Sequence, residues 1–513
     1  MNLRTVVTPG SPASLLTRAR RARDRDWLAA GRHVDVLVVG GGIVGVGVAL
    51  DAVSRGLSVA LVERHDLAFG TSRWSSKLAH GGLRYLAQRQ IGVAWESAVE
   101  RDILATRVAP HLVRPIAQLL PLTAALSQQE ALLMQVGLLG GDALRRSAGT
   151  PSTLLPAPRR IDAAAALRLV PTLDQRELRG GFLSYDCALE DDARLVVAVA
   201  RTAAALGARI VTRADVTELS VGGARVTDGL DGGTFSINAT WVVNATGAAA
   251  GLLDPSVQLR PSRGSHAVLR AEALGHPTAA ITVPVPGHFG RFVFAVPQPD
   301  GWVLAGITDE PVNEAPEVPQ PAATEIEWIL STLSTALDRE LTTPDVIGQF
   351  AGIRPLVDSP DVSSSSADIS RRHLVRQHES GVITVTGGKL TTYRRMAQDT
   401  VDLITTTPCA TTALPLVGAA TNASRTQRFD RRFGSEAASL SQLATSDALL
   451  AEPVVPGAPV TGAEVAWAVL AEGALDAADV IERRTRLSLV DAWGIAARER
   501  VAEIVERFTP NAT

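Results

Sequence analysis

The run VDVLVVGGGIVGVGVALDAVSRGLSVALVE, residues 34–63, constrains this chain more than any other stretch, because its glycine spacing and its apolar pattern both demand one βαβ unit. An apolar strand over 34–39 leads into a turn where Gly40, Gly42 and Gly45 form G-x-G-x-x-G. A helix is predicted over 43–54, stopping at Gly56, and a second strand over 57–62 ends at Glu63. Each glycine has its own task. Gly40 permits the tight turn, Gly42 lets a pyrophosphate approach the backbone, and Gly45 lets the helix sit close on the strand. The helix N-terminus then faces the phosphates. Glu63 is spaced to accept hydrogen bonds from an adenosine ribose, which favours an unphosphorylated ribose over NADP.

At 513 residues the chain exceeds what one core usually serves, so two or three subdomains are expected. A hydrophobic content of 46% with 20% charged residues is that of an ordinary globular protein. A formal net charge of −3 argues against a nucleic-acid binder. Only Cys187 and Cys409 are present, far apart, which supports neither a disulfide framework nor a cysteine metal site and points to a reducing cytoplasm. No metal is expected. No apolar run reaches the roughly 18 residues of a membrane span. Residues 1–33 set seven arginines against Asp24 and Asp26. This segment reads as a basic N-terminal tail, or else as a helix whose Leu15, Leu16, Trp27 and Leu28 side meets an anionic membrane surface.

After Glu63 comes RHDLAFGTSRWSSKLAHGGLRYL, a loop long enough to be functional. Its Thr71, Ser72, Ser75 and Ser76 hydroxyls can bond phosphate oxygens or a flavin ring, with Lys77, His80, Gly81 and Gly82 beside them, which favours FAD over NAD. Further on, 191–216 reads as a helix then a strand. TWVVNATGAAA reads as a buried strand opening onto a glycine turn at Asn244, Thr246 and Gly247. Alternating segments near 266–310 predict antiparallel strands of a substrate sheet. GVITVTGGKLTTYRRMAQDTVDLI repeats the strand, Gly-Gly, helix order, bringing Gly388, Lys389 and Leu390 to the cofactor as a second backbone nest. From about 406 the chain turns Ala-rich with helical spacing. The expected division is therefore 1–33, a dinucleotide domain over 34–405 interleaved with a substrate part at roughly 111–184 and 260–350, and a helical domain over 406–513.

Six ordered motifs, SSKLAHGGLRYL, DDARL, VNATG, GSH, GIRPL and GGKLTTYR, give residues 34–400 a resemblance to the FAD-dependent glycerol-3-phosphate dehydrogenases. The resemblance implies a Rossmann-like α/β fold of the glycine-oxidase and D-amino-acid-oxidase type, with an antiparallel substrate sheet and a C-terminal helical domain. It also implies FAD, oxidation of sn-glycerol 3-phosphate to dihydroxyacetone phosphate, and electron delivery to a membrane quinone. A cytoplasmic enzyme held peripherally on the membrane follows, with a homodimer possible.

The residues supply chemistry for that expectation. A phosphorylated polyol demands cations with several donors, and Arg suits a planar meeting with phosphate. Arg84, Arg354, Arg371 and Lys389 are the candidates, with Tyr85 as a wall. Oxidising a secondary alcohol needs a base within reach of its hydroxyl, and His266 is the preferred one. Lys389, or the Gly388 amide, is placed to stabilise a reduced flavin. Ile307 stands in AGITD where relatives commonly carry a hydroxyl, leaving Thr308 and Asp309 for any contact there. Two other readings compete: an oxidase of the same substrate using oxygen, and a flavin-binding protein without catalysis.

Overall fold

The computed structural model describes residues 11–81, 90–123, 126–288, 290–357, 373–419 and 427–509. The residues of the opening motif form their βαβ unit: strand His33–Val39, helix Ile43–Ser54 and strand Val59–Val62. The two strands are parallel, with Val36 opposite Val59 and Val39 opposite Val62. Their near-continuous Val and Leu content follows from burial on both faces of a parallel sheet. On one side helix Ile43–Ser54 packs against helix Asp192–Ala205 and helix Tyr393–Val401.

The sheet continues in space as His373–Gln377, Ile383–Gly387, Thr234–Asn244, His33–Val39, Val59–Val62 and Arg209–Val211. Four strands distant in sequence thus flank the glycine turn. Thr234–Asn244 runs parallel to His33–Val39, with Asn244 opposite Val39, so the VNATG turn and the Gly40 turn emerge side by side. That is where a doubly wound sheet leaves its ligand crevice.

The second sheet is mostly antiparallel. Its long central strand, Leu259–Arg270, pairs with Val346–Val357 on one side and with Trp302–Gly306 on the other. The register sets Ser262 opposite Arg354, and His266 between Phe350 and Gly306. This sheet reaches further than the expected 111–184 and 260–350, because Leu78–Ala79 already pairs with Gly181–Leu189. The loop after Glu63 therefore joins the two sheets.

The N-terminal segment is corrected. Over Arg18–Ala29 it is a docked helix instead of a tail. Arg21 holds Asp228 at 2.6 Å, and Arg20 donates to the Ala204 carbonyl at 2.8 Å. The Arg209 guanidinium lies 3.7 Å from the Trp27 ring centre, and Leu16 and Leu28 are buried. The apolar side proposed for a membrane is thus turned into the protein. Of the basic residues, Arg20 and Arg21 are spent on buried acceptors, while Arg18 and Arg23 stay exposed.

The C-terminal helices, Arg428–Phe433 through Arg498–Phe508, build their own apolar cluster around Val465, Val480, Val501 and Ile504. Residues from 406 do not all belong to it, since Leu414 and Leu416 lie in the core of the dinucleotide domain. The docking of this domain is ionic. Asp66 receives Arg484 at 2.8 Å and Arg483 at 2.7 Å, while Arg486 reaches Asp192 at 3.1 Å and the Arg73 carbonyl at 2.6 Å.

Candidate active site

A cavity of about 1770 Å³ runs between the two sheets, from Glu63 and Val216 at one end to Arg354 and Lys389. Its first end is built by the glycine turn. Gly40 has φ of +113°, and a Cβ there would lie 2.6 Å from the Ala245 carbonyl oxygen. A Cβ at Gly45 would collide with the Gly40 carbonyl, so that position needs glycine for packing and faces no ligand. At Gly42 a Cβ would meet only Ser72 Oγ, at 3.2 Å, leaving room above the turn for a bound group. The helix start has no cap of its own. Ser72, from the long loop, accepts from the Ile43 N–H at 2.9 Å.

Glu63 accepts from the Gly41 N–H at 2.6 Å and the His65 N–H at 2.7 Å, and it lines the cavity. Burial lifts its carboxyl above the ordinary value, while those two N–H groups and His65 pull the other way. A ribose supplies the hydroxyl donors that a buried carboxylate needs. The residues present therefore fit the adenosine half of FAD.

Along the cavity, Thr71, Ser72, Ser76, His80, Thr246, Gly247, Gly388, Lys389 and Leu390 all line the wall, as do Gly40, Gly42 and Glu63. Besides Gly45, three predicted cofactor residues are placed otherwise. Lys77 turns away from Ser76 and is buried against Asp192, with Nζ 3.0 and 3.1 Å from the two carboxylate oxygens. Burial, together with Arg486, brings its amine down to about 8 despite Asp192. Asn244 sits beneath its turn, donating to the Ala250 carbonyl and accepting from the Thr246 hydroxyl at 2.7 Å. Gly81 is held by Asp186 and packs on the Arg101 guanidinium, where no Cβ would fit. Lys77 and Gly81 shape the loop after Glu63, and Asn244 shapes the turn that carries Thr246 and Gly247. Gly82, Arg84, Tyr85 and Arg371 lie outside the described residues.

At the other end, Arg354 donates to the Thr308 carbonyl at 3.0 Å, to Asp309 at 3.2 Å and to the Ser262 hydroxyl at 3.3 Å. Gly264 leaves space for that guanidinium, which any Cβ would strike. Thr71 donates to the Ile353 carbonyl at 2.6 Å and so ties the cofactor loop to the GIRPL strand. Lys389 donates to the Ser97 hydroxyl at 2.5 Å. Thr308 and Asp309 thus act around Arg354. Thr308 Oγ1 donates to Glu325 at 2.8 Å and accepts from the Ser265 N–H at 2.9 Å. Asp309 falls in the AGITD segment already singled out, whereas the hydroxyl of Ser262 had no motif to announce it; its place beside Arg354 depends on strand register.

His266 is 1% exposed and does not itself line the cavity. Its Nε2 is 2.9 Å from Ser76 Oγ, which does. The ring stacks on Phe350 with centres 4.7 Å apart, and a Cβ on Gly306 would hit it from the opposite strand. Burial, followed by the charges of Arg354 and Lys77, holds the imidazole well below the ordinary histidine value, hence neutral. Nδ1 has no hydrogen-bond partner among the described residues.

A nucleotide cradle at one end, a cationic pocket at the other and a neutral buried imidazole between two sheets define a dinucleotide-dependent oxidoreductase. Residues 35–394 match the family of FAD dependent oxidoreductases, and residues 384–509 match the C-terminal domain of alpha-glycerophosphate oxidase. The chain is 48% identical to glycerol-3-phosphate dehydrogenase 1 of Mycobacterium tuberculosis, over 98% of this chain and 99% of that protein. It is 33% identical to a mitochondrial glycerol-3-phosphate dehydrogenase of Arabidopsis thaliana, over 97% of this chain and 86% of that one. Among solved structures, the glycerol-3-phosphate dehydrogenase of Bacillus halodurans complexed with FAD superposes with a TM-score of 0.72 at 25% identity, covering 96% of this chain and 94% of its own. The chain belongs to the FAD-dependent glycerol-3-phosphate dehydrogenases.

Proposed function

We propose that this protein oxidises sn-glycerol 3-phosphate to dihydroxyacetone phosphate and passes the electrons to a membrane quinone, working as a peripheral enzyme of the cytoplasmic membrane face. The observation that carries the substrate reading is Arg354, aimed into the cavity by Asp309 and the Thr308 carbonyl, with Lys389 on the same cavity wall. Fixed cations of this kind suit a phosphate better than a lone carboxylate. Arg84 and Arg371 join them in this reading.

When bound, FAD supplies the hydride acceptor. The protein's part is to hold the phosphate on Arg354 and Lys389, to exclude water by the apolar walls, and to take the hydroxyl proton. His266 is the proton sink, neutral and therefore able to accept. Its contact with the cavity runs through the Ser76 hydroxyl. Lys389 keeps a positive charge at the end of the Gly387–Gly388 turn, where it offsets negative charge arising on a reduced cofactor.

Anaerobic addition of glycerol 3-phosphate should bleach the yellow protein, and a quinone analogue should restore the colour faster than oxygen. Failure to bleach with either glycerol phosphate isomer would overturn the reading. A second reading keeps the substrate and makes oxygen the acceptor. The match of residues 384–509 to the C-terminal domain of alpha-glycerophosphate oxidase favours it, and a stoichiometric yield of hydrogen peroxide during turnover would select it.

A further inference from the structure

Among the described residues, five of the six ordered motifs send side chains or backbone to the cavity wall; DDARL, residues 191–195, sends none. Its three charged side chains are buried against the C-terminal helical domain. Asp191 accepts from Arg432 at 2.8 Å, Arg194 holds Glu472 at 2.7 Å, and Arg486 donates to Asp192 at 3.1 Å. Asp191 also caps helix Asp192–Ala205, and the Arg194 guanidinium lies over the Phe433 ring. Docking accounts for those two.

Asp192 reaches a third element, the loop after Glu63. Its Oδ2 accepts from the Ser75 N–H at 3.0 Å and from the Ser75 hydroxyl at 2.8 Å, and its two oxygens receive Lys77 Nζ at 3.0 and 3.1 Å. One carboxylate thus grips both neighbours of Ser76. Ser75 Oγ in turn accepts from the Lys77 N–H at 3.0 Å. Lys77 keeps φ of +55°, a conformation that persists only where the surroundings hold it. On the other side, Arg486 Nη2 donates to the Arg73 carbonyl at 2.6 Å, and its guanidinium lies 5.4 Å from the Trp74 ring centre. Trp74 stacks on Phe350, and Phe350 on His266, with centres 5.2 and 4.7 Å apart.

A buried carboxylate between two cations resists movement, because a shift leaves a charge uncompensated. Residues 73–77 are therefore fixed at both ends. Between those ends stands the Ser76 hydroxyl, 2.9 Å from His266 Nε2. A displacement of about 1 Å would open that contact beyond hydrogen-bonding distance.

We infer that Asp192 and Arg486 are positioning residues for the proton-transfer step: through this pair the C-terminal domain sets the Ser76 hydroxyl against His266, and the rate of flavin reduction depends on it. Both residues lie off the cavity wall. The inference rests on the reading of His266 as the proton acceptor.

Anaerobic stopped-flow reduction of the holoenzyme by glycerol 3-phosphate separates binding from the chemical step. Arg486→Gln should lower the limiting rate of flavin reduction by roughly 10–10²-fold, the cost of a misplaced reacting group, with half-saturating substrate concentration and flavin content unchanged. Arg486→Lys should restore part of the rate, since an ammonium keeps the charge beside Asp192 without the planar fork that also reaches the Arg73 carbonyl. In a His266→Gln background, Arg486→Gln should have no further effect, because residues that act as one unit are not additive. If Arg486→Gln loses its flavin or fails to fold, Ser75→Ala takes its place. That change removes one bond to Asp192, leaves both cations paired, and should slow reduction in the wild type but not in the His266→Gln protein. A loss that persists in the His266→Gln background, or one carried by substrate affinity alone, would overturn the inference and leave the base assignment standing. Reduction of His266→Gln at the wild-type rate would overturn the base assignment itself, and the inference with it.

Discussion

Ser76 Oγ and His266 Nε2 stand 2.9 Å apart, with the serine on the cavity wall and the histidine behind it. His266→Gln should slow anaerobic flavin bleaching by roughly 10²–10⁴-fold, the range of a lost general base. Because burial, then Arg354 and Lys77, hold the wild-type imidazole below its ordinary value, the bleaching rate should stay flat from pH 8 down through the ordinary histidine range. The stability effect has the opposite profile. An unfolded chain takes up the proton first, so the stability due to this neutral histidine is complete above about pH 6.5 and is lost as pH falls toward the depressed folded value. A bleaching rate that halves near pH 6.5 would count against the base assignment.

Arg354→Ala should raise the glycerol 3-phosphate concentration needed for half-maximal bleaching and lower kcat/KM by about 10²-fold or more, because the substrate phosphate loses a fixed guanidinium on the cavity wall. Arg354→Lys should recover only part of this. A lysine cannot reach the Thr308 carbonyl, Asp309 and a phosphate with one planar group. Stopped-flow absorbance at the flavin band reads both.

Glu63→Gln should weaken FAD by about 1.5–3 kcal/mol, the worth of hydrogen bonds to a charged acceptor. It should leave substrate affinity of the reconstituted enzyme unchanged, since Glu63 is tied to the Gly41 turn while Arg354 belongs to a strand of the other sheet. Flavin retained after gel filtration is the direct measurement.

Asp66→Asn should destabilise the protein by about 3–5 kcal/mol, because it takes the carboxylate from buried Arg484 and leaves Arg483 to Asp479 and Glu482. In the wild type, burial alone would raise the Asp66 carboxyl, but Arg484 and Arg483 outweigh it and hold it below the ordinary carboxylate value. Its contribution is therefore present above about pH 4 and lost as pH falls through the folded value. Thermal unfolding against pH, with limited proteolysis of the C-terminal helices as the local readout, separates this from general acid unfolding.

The parts of the site that the sequence displays are those where backbone geometry dictates residue type. Gly40, Gly42 and Gly45 are legible because a turn and a close helix leave no room for a side chain, and Glu63 because it falls at the end of the next strand. His266 and Arg354 are legible as residues but not as a geometry. Only the pairing of Leu259–Arg270 with Val346–Val357 places Ser262 beside Arg354, and such long-range register has no local signal. Lys77 fails for another reason: it stands at a bend with φ of +55°, a local conformation that sends its side chain to Asp192 while Ser76 faces the cavity. The N-terminal arginines mislead because their acceptors, Asp228 and the Ala204 carbonyl, lie about two hundred residues away. Composition distinguishes a basic segment but not what neutralises it.

The Asp66 clamp also orders events in time. Asp66 is joined through a few residues to Ser72, which caps the phosphate-facing helix, yet its partners Arg483 and Arg484 come more than four hundred positions later. A ribosome has therefore to finish almost the whole chain before the nucleotide cradle can be locked. Contacts of such separation close late. A chain cut short before Arg483 therefore lacks the clamp behind its nucleotide cradle, and is expected to retain little flavin even though every glycine of its fingerprint is present.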